Sequence, residues 1–126
     1  MKTKAEKIPA GRTHVEFSIA VREETIPVRG NALASGDDKQ DREVENEIIA
    51  RLDNGDVWAW CTVRVVAKYE NYEGADFLGC CSYTDEKDFI ENSGYYEDMK
   101  AEALLRLEQE LEQAGKAAHK YFQRAL

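Results

Sequence analysis

The first patterned stretch of the chain alternates between apolar and polar residues, which is typical of a half-buried strand. Over residues 13–21 the apolar side carries Val15, Phe17, Ile19 and Val21. A second strand is predicted over residues 26–32, where Ile26, Val28 and Ala32 are in phase. Pro27 cannot donate a ladder hydrogen bond, so this strand is expected at a sheet edge or at its own start. The two stretches together predict a hairpin.

A helical pattern follows the turn and helix-start signal Ser-Gly-Asp-Asp at residues 35–38. Apolar residues then recur at helical spacing, at Val44, Ile48, Ile49 and Leu52. Asn54 and Gly55 give a C-terminal stop, because glycine readily adopts the left-handed conformation that ends many helices. The sequence therefore predicts a helix between these two signals.

The strongest strand pattern covers residues 57–69, with Trp58 and Trp60 on one face and Cys61 on the other. Residues 70–74 are expected to turn the chain, and residues 75–83 to return as a fourth strand. Gly79 inside that strand indicates either a bulge or a close packing neighbour.

The C-terminal part is predicted to be helical, with a short turn of helix from residue 84 and a long helix from about Tyr95. From Leu104 the apolar steps alternate between three and four residues, which is a heptad pattern. The predicted seam contains Leu104, Leu107, Leu111, Ala114, Ala118 and Tyr121. It is either a helix lying along its own sheet or a homodimer seam. An unbroken helix to Ala125 would be roughly 45 Å long, although Gly115 is a weak point in it.

These elements predict an α+β fold with a four-stranded antiparallel sheet in β-β-α-β-β-α order, helices packed on one face and a long C-terminal helix. The length of 126 residues fits one domain. Within it we predict a flexible lead-in over residues 1–12, a single α+β domain over residues 13–114 and a helical extension over residues 115–126.

Charge is distributed unevenly along the chain. The net charge of −8 divides into +2 for residues 1–36, −13 for residues 37–113 and +3 for residues 114–126. An acidic middle segment repels phosphates, so direct nucleic-acid binding is disfavoured. It favours a basic protein partner, or it serves solubility alone.

Two groups of side chains are candidates for partner binding. The first is a set of carboxylates, which would form a negative surface if the fold gathers them: Asp37, Asp38, Asp41, Glu43, Glu45, Glu47, Asp85, Glu86 and Asp88. The second is the pair Trp58 and Trp60. These tryptophans are either core residues or, if their face meets solvent, a protein-binding hot spot.

Catalytic and metal-binding patterns are not found in the sequence. Cys80 and Cys81 are adjacent, His14 and His119 are far apart, and no phosphate-binding loop or nucleophile elbow is present. We therefore predict no enzyme activity, no metal and no cofactor. The alternative is a small-ligand binder or an enzyme that uses the Trp58–Cys61 strand and the Cys80–Cys81 strand.

The expected location is the cytoplasm. Three cysteines, two of them adjacent, make a poor disulfide framework and fit reduced thiols. No apolar run approaches the 18 or so residues of a membrane span, and the N-terminal residues lack the apolar core of a secretory signal.

Six further segments carry a resemblance, and they are Arg29–Ala32, Ser35–Asp38, Asp41–Glu45, Gly55–Val63, Leu78–Tyr83 and Gly94–Lys100. Over about residues 29–111 they together resemble small hypothetical proteins of tailed bacteriophages. That family has no assigned activity, so the resemblance implies a setting, the bacterial cytoplasm during infection, and no mechanism.

Three functions are consistent with these observations. The first is a phage accessory protein that binds a host protein, such as an anti-restriction or anti-CRISPR inhibitor with a DNA-mimicking acidic surface. The second is the ligand binder or enzyme already described. The third is a homo-oligomeric assembly factor built on the heptad seam.

Overall fold

The computed structural model describes residues 6–7 and 15–115 and shows an α+β protein. Its strands are β1 (Glu6–Lys7), β2 (Glu16–Glu23), β3 (Cys61–Tyr69) and β4 (Tyr72–Cys81). Its helices are α1 (Asp38–Asp53), α2 (Glu86–Asn92) and α3 (Tyr96–Gln113), and one 3-10 turn, Val57–Ala59, precedes β3.

The strands lie side by side in the order β1-β2-β3-β4. The two-residue β1 pairs antiparallel with β2, so that Glu6 lies opposite Phe17 and Lys7 opposite Glu16. A tight turn joins β3 to β4, with Glu70 in the left-handed region at a φ of 54°. Only β2, β3 and β4 are longer than two residues.

The predicted second strand over residues 26–32 is wrong, because its backbone groups are engaged elsewhere. The Glu24 carboxylate accepts the N–H of Ile26, and the Glu45 carboxylate accepts the N–H of Gly30. The carbonyl of Val28 accepts the N–H groups of Asn31 and Ala32 in a turn. Residues 24–37 therefore connect β2 to α1 without a strand.

The predicted β-β-α-β-β-α arrangement is wrong as a consequence. The expected first hairpin does not form, and three helices are present where two and an extra turn were expected. The predicted strand at residues 57–69 is also too long at its start. Trp58 lies in the 3-10 turn and Trp60 follows it, so the tryptophans do not share a strand face.

Capping residues next to helix α1 set both of its ends. Asp37 caps its N-terminus by accepting the N–H groups of Lys39 and Gln40. Asn54 caps its C-terminus, and Gly55 follows with a φ of +83°. A left-handed residue at this position is the usual way to end a helix.

The chain forms two compact units. Unit 1 comprises Met1–Ala20, Arg64–Phe77 and Gly94–Leu126, and unit 2 comprises Val21–Val63 and Leu78–Ser93. Strands β2, β3 and β4 each contribute residues to both units.

In unit 1, helix α3 lies against β4 at Gly74. A methyl group at this position would meet backbone atoms of Leu107 and Ala103, and it would lie 2.8 Å from the carbonyl carbon of Arg106. Arg106 also donates to the carbonyl oxygen of Ala75 at 2.7 Å. The fully or nearly fully buried residues of unit 1 include Val15, Ile19, Val65, Ala67, Ala103, Leu104, Leu107 and Leu111.

Unit 2 has its own apolar core. Val28 and Trp60 are buried with Ile48 and Ala59, and partly buried residues of α1 surround them. The Trp60 indole N–H donates to the carbonyl oxygen of Ile26 at 2.6 Å, so the long connection is attached to this core.

Candidate functional site

The Glu24 carboxylate, directly after β2, is a polar centre of unit 2 that the sequence did not reveal. It accepts the backbone N–H of Cys80 at 2.7 Å and those of Thr25 and Ile26 at 2.9 and 3.2 Å. The Thr62 hydroxyl adds a fourth donor at 3.0 Å. These donors, the Cys80 N–H foremost, favour the charged form and lower the pKa of Glu24 to about 2.

The backbone of β4 is adapted to this carboxylate. A methyl group on Gly79 would lie 2.9 Å from Oε1 of Glu24, so glycine gives the carboxylate room. Cys80 follows with a φ of 54°, an uncommon conformation for a residue other than glycine. Of the two explanations predicted for Gly79, the structure shows a close neighbour.

The cysteine thiols are poor nucleophiles. Burial raises the pKa of Cys61 to about 12 and that of Cys81 to about 11. Cys80 is exposed, yet loss of hydration and the neighbouring Glu24 carboxylate raise the pKa of its thiol as well. Because the reactive species is the thiolate, these shifts disfavour cysteine catalysis at neutral pH.

The connection between β2 and α1, residues 24–37, is long for a segment without helix or strand, and it is held at several points. Glu24 binds its first N–H groups, and Trp60 binds the carbonyl of Ile26. Glu45 binds Gly30, and Asp41 binds both the N–H and the hydroxyl of Ser35. Ordered connections of this length are usually functional. We call residues 24–37 the anchored loop.

Glu45 is the innermost anchor of this loop. Its residue surface is 7% exposed, and its carboxylate accepts the Gly30 N–H at 2.8 Å and Nη1 of Arg29 at 3.1 Å. The Gly30 N–H and then Arg29 lower the pKa of Glu45. Arg29 also donates to Asn46 at 2.7 Å, so its guanidinium is fixed by two acceptors.

A groove of about 510 Å³ lies between the anchored loop and the first turns of α1. Its lining residues are Arg29, Gly30, Leu33, Ala34, Asp38, Asp41, Arg42 and Glu45. Leu33 is 36% exposed although it is a large apolar side chain. The groove therefore combines an apolar surface with charges of both signs.

All nine predicted carboxylates lie in unit 2, but five of them are acceptors within the fold. Asp37 and Asp85 cap α1 and α2, Asp41 and Glu45 hold the anchored loop, and Asp88 accepts Thr84 and Asn92. Glu86 is half-buried with one oxygen lacking a partner, and burial raises its pKa.

The other three predicted carboxylates, Asp38, Glu43 and Glu47, are exposed on α1. Within the described part of the chain they form no hydrogen bond or ion pair. These three are therefore available to a partner.

The hot-spot interpretation of the tryptophans is wrong, because both are buried. Trp58 and Trp60 are only 2% and 3% exposed. Trp58 packs against Phe89 of α2 with ring centroids 6.1 Å apart. The tryptophans act as core residues and offer no contact surface.

Three residues of the predicted heptad seam are buried within unit 1. Leu104 is 2% exposed, and Leu107 and Leu111 are completely buried, so they have no free surface for a second chain. Ala114 is exposed just after the end of α3, and Gly115 has a φ of +80°. Ala118 and Tyr121 lie outside the described residues.

Both units are acidic in their described residues. Unit 2 contains 14 Asp and Glu residues against six Lys and Arg, a net charge of −8 over 59 residues. The described residues of unit 1 contain eleven Asp and Glu against five Lys and Arg, a net charge of −6.

The residues that the structure describes include neither His14 nor His119. No group of three or more His, Cys, Asp or Glu side chains in residues 15–115 is placed to hold a metal ion. No described helix combines the length and the apolar character needed to cross a membrane.

Comparison with known proteins finds no relative of this chain. The chain matches no family model, no curated protein and no solved structure.

Proposed function

We propose that this chain is a non-enzymatic accessory protein that acts by binding another protein through the acidic surface of unit 2. The observation that carries the proposal is the negative field of that unit, whose net charge is −8 and whose helix α1 carries three free carboxylates. Such a field attracts a basic surface and speeds its association. The resemblance to tailed-phage proteins extends the proposal to a host protein in the bacterial cytoplasm as the partner.

The free carboxylates of α1 support this proposal. Glu43 and Glu47 are four residues apart on one helix face, where two like charges cost about 0.2–0.5 kcal/mol of helix stability. Asp38, in the first turn, interacts favourably with the helix dipole, but Asp37 already caps that end of the helix. This placement of Glu43 and Glu47 does not serve helix stability, and it supports a role in binding a basic partner.

The alternatives have less support. An enzyme using the cysteine-bearing strands would need a thiolate, which the raised pKa values of Cys61, Cys80 and Cys81 disfavour. An assembly factor built on the heptad seam would need the three leucines that unit 1 buries.

Affinity capture tests the proposal. The full chain is immobilised and exposed to bacterial lysate at low and at high salt, and the retained proteins are identified by mass spectrometry. We expect at least one basic protein that is retained at low salt and released at high salt, because salt screens contacts between exposed charges. Recovery of no salt-sensitive partner would contradict the proposal.

A further inference from the structure

The groove between the anchored loop and α1 points to a particular kind of contact. We propose that it binds an extended segment of a basic protein, with the stem of an arginine or lysine on Leu33 and Ala34 and its cationic head at Asp38. The inference rests on the proposed function and deepens it, because it assigns the binding site and the chemistry of the bound segment.

The groove is preorganised. One wall is the anchored loop, which Glu45 and Asp41 hold through Gly30 and Ser35 at 2.6–3.3 Å. The opposite wall is α1, which Asp37 caps. A contact surface that is already ordered loses little conformational entropy when a partner binds, so even a modest set of contacts gives useful affinity.

The charges in the groove identify its occupant. Arg29 is neutralised by Glu45 at 3.1 Å, whereas the negative charge of Asp41 meets only the neutral donors of Ser35. The Asp38 carboxylate has no partner among the described residues. With Arg29 paired to Glu45, the groove retains Asp38 and Asp41 against the single cation of Arg42, so its lining has a net charge of −1 in a unit whose net charge is −8.

The remaining groups fit the rest of a peptide. Leu33 and Ala34 give the groove apolar surface, and the aliphatic stems of arginine and lysine pack readily on such surface. Arg42 lines the groove without a partner among the described residues, and its guanidinium can donate to a backbone carbonyl of the bound segment.

The experiment is an NMR titration of the isotopically labelled full chain with two capped octapeptides. One alternates arginine with alanine, and the other has glutamine in place of arginine. At low salt we expect the arginine peptide to shift the amide signals of residues 30–34 and 38–45, and the glutamine peptide to leave them unchanged. Equal binding of both peptides would contradict the basic chemistry assigned to the occupant.

Two matched pairs of variants locate the site. Asp38→Asn and Asp53→Asn each remove one exposed carboxylate of α1, but only Asp38 lines the groove. We expect Asp38→Asn to weaken binding about threefold to fivefold, the effect of one exposed ion pair, and Asp53→Asn to change it less than about 1.5-fold. Leu33→Ser should likewise weaken binding, whereas Ile90→Ser, at a similarly exposed position on α2, should not.

The outcomes separate this inference from the function on which it rests. Shifts spread over all of unit 2, with equal losses for Asp38→Asn and Asp53→Asn, would contradict binding in the groove and leave diffuse acidic attraction as the explanation. No binding of the arginine peptide at low salt would also contradict binding in the groove. The proposed function would not fall with it, because capture from lysate tests that function separately. Amide spectra of each free variant verify that the fold is retained.

Discussion

Glu24 connects three segments of unit 2 through one carboxylate. It binds the start of the anchored loop, the hydroxyl of Thr62 in β3 and the backbone of Cys80 in β4. Because all four donors favour the ionised form, the fold and the charge state of this group depend on each other.

The pH dependence of stability follows from that coupling. The folded-state pKa of Glu24, about 2, lies below its ordinary value of 4.5, so its contribution is complete above pH 4.5 and is lost as pH falls towards 2. We expect Glu24→Gln to lower the free energy of unfolding by about 1–2 kcal/mol at neutral pH. Urea unfolding across a pH series should show this difference shrinking below pH 4.5.

A control separates this effect from a general change of charge. Glu47→Gln removes an exposed carboxylate that has no partner among the described residues, so its stability should follow that of the unmodified chain at every pH. A difference between Glu24→Gln and the unmodified chain that stays constant down to pH 2 would contradict the role assigned to Glu24.

The Cys80 thiol gives a second prediction at this scale. Because its pKa is raised above the ordinary value of 9.0, we expect a disulfide reagent at pH 8 to label it more slowly than free cysteine. Glu24→Gln should speed the reaction by removing the neighbouring charge. Cys80→Ser should abolish labelling of the native chain, since Cys61 and Cys81 are buried. Labelling faster than that of free cysteine would reject this account.

At the scale of elements, α3 and β4 approach each other so closely that only glycine fits between them. A methyl group on Gly74 would meet the backbone of α3, which cannot move away without displacing the helix. A methyl group on Gly79 would instead meet the side chain of Glu24. The two glycines of one strand therefore differ in the neighbour that excludes a side chain.

Thermal or urea unfolding of two alanine variants tests this difference. We expect Gly74→Ala to cost at least about 2 kcal/mol, because overpacking against a backbone cannot relax. Gly79→Ala should cost less, about 1 kcal/mol, because the neighbouring carboxylate can shift at the expense of part of its hydrogen bonding. The opposite ranking would show that α3 does not lie on Gly74 as described.

The leucines of α3 give a further prediction. Leu107 is completely buried in unit 1, so Leu107→Ala should lower the free energy of unfolding by about 2–5 kcal/mol. The neighbouring Leu105 is 43% exposed, and Leu105→Ala should cost less than about 1 kcal/mol. A homodimer seam would be the better description if Leu107→Ala left the free energy of unfolding unchanged but altered the solution mass measured by light scattering.

Helix α1 could be predicted from the sequence because its signals are local. Asp37 caps its N-terminus, and Asn54 with Gly55 ends it. No local signal in the sequence argues against the predicted strand at residues 26–32. Its alternating pattern is real, but the groups that compete for its backbone include Glu45, 15 residues after Gly30 in the chain.

The candidate site was predicted only in part. The acidic composition of α1 is visible in the sequence, whereas the division into free and anchoring carboxylates depends on contacts such as that of Asp41 with Ser35. Glu24 was missed for the same reason, since Cys80 follows it by 56 positions. The burial of Trp58 and Trp60 likewise depends on partners such as Phe89 and Ile26.

At the scale of the whole molecule, unit 2 carries a net charge of −8 and the anchored loop, whereas unit 1 holds the aliphatic core of α3. The described residues of both units are acidic, so net charge alone does not direct a partner to unit 2. The account of function depends on the free carboxylates of α1 and on the groove beside them, which give a partner one place to bind.

Capture from lysate with two charge-matched triple variants tests that account most directly. Each variant replaces three exposed carboxylates by their amides, and the substitutions are Asp38→Asn, Glu43→Gln and Glu47→Gln in unit 2 and Asp98→Asn, Glu110→Gln and Glu112→Gln in unit 1. Each variant removes three negative charges, so the two variants have the same net charge. We expect the unit 2 variant to lose the salt-sensitive partner and the unit 1 variant to retain it. Equal retention by both variants, or equal loss, would contradict the claim that unit 2 binds the partner.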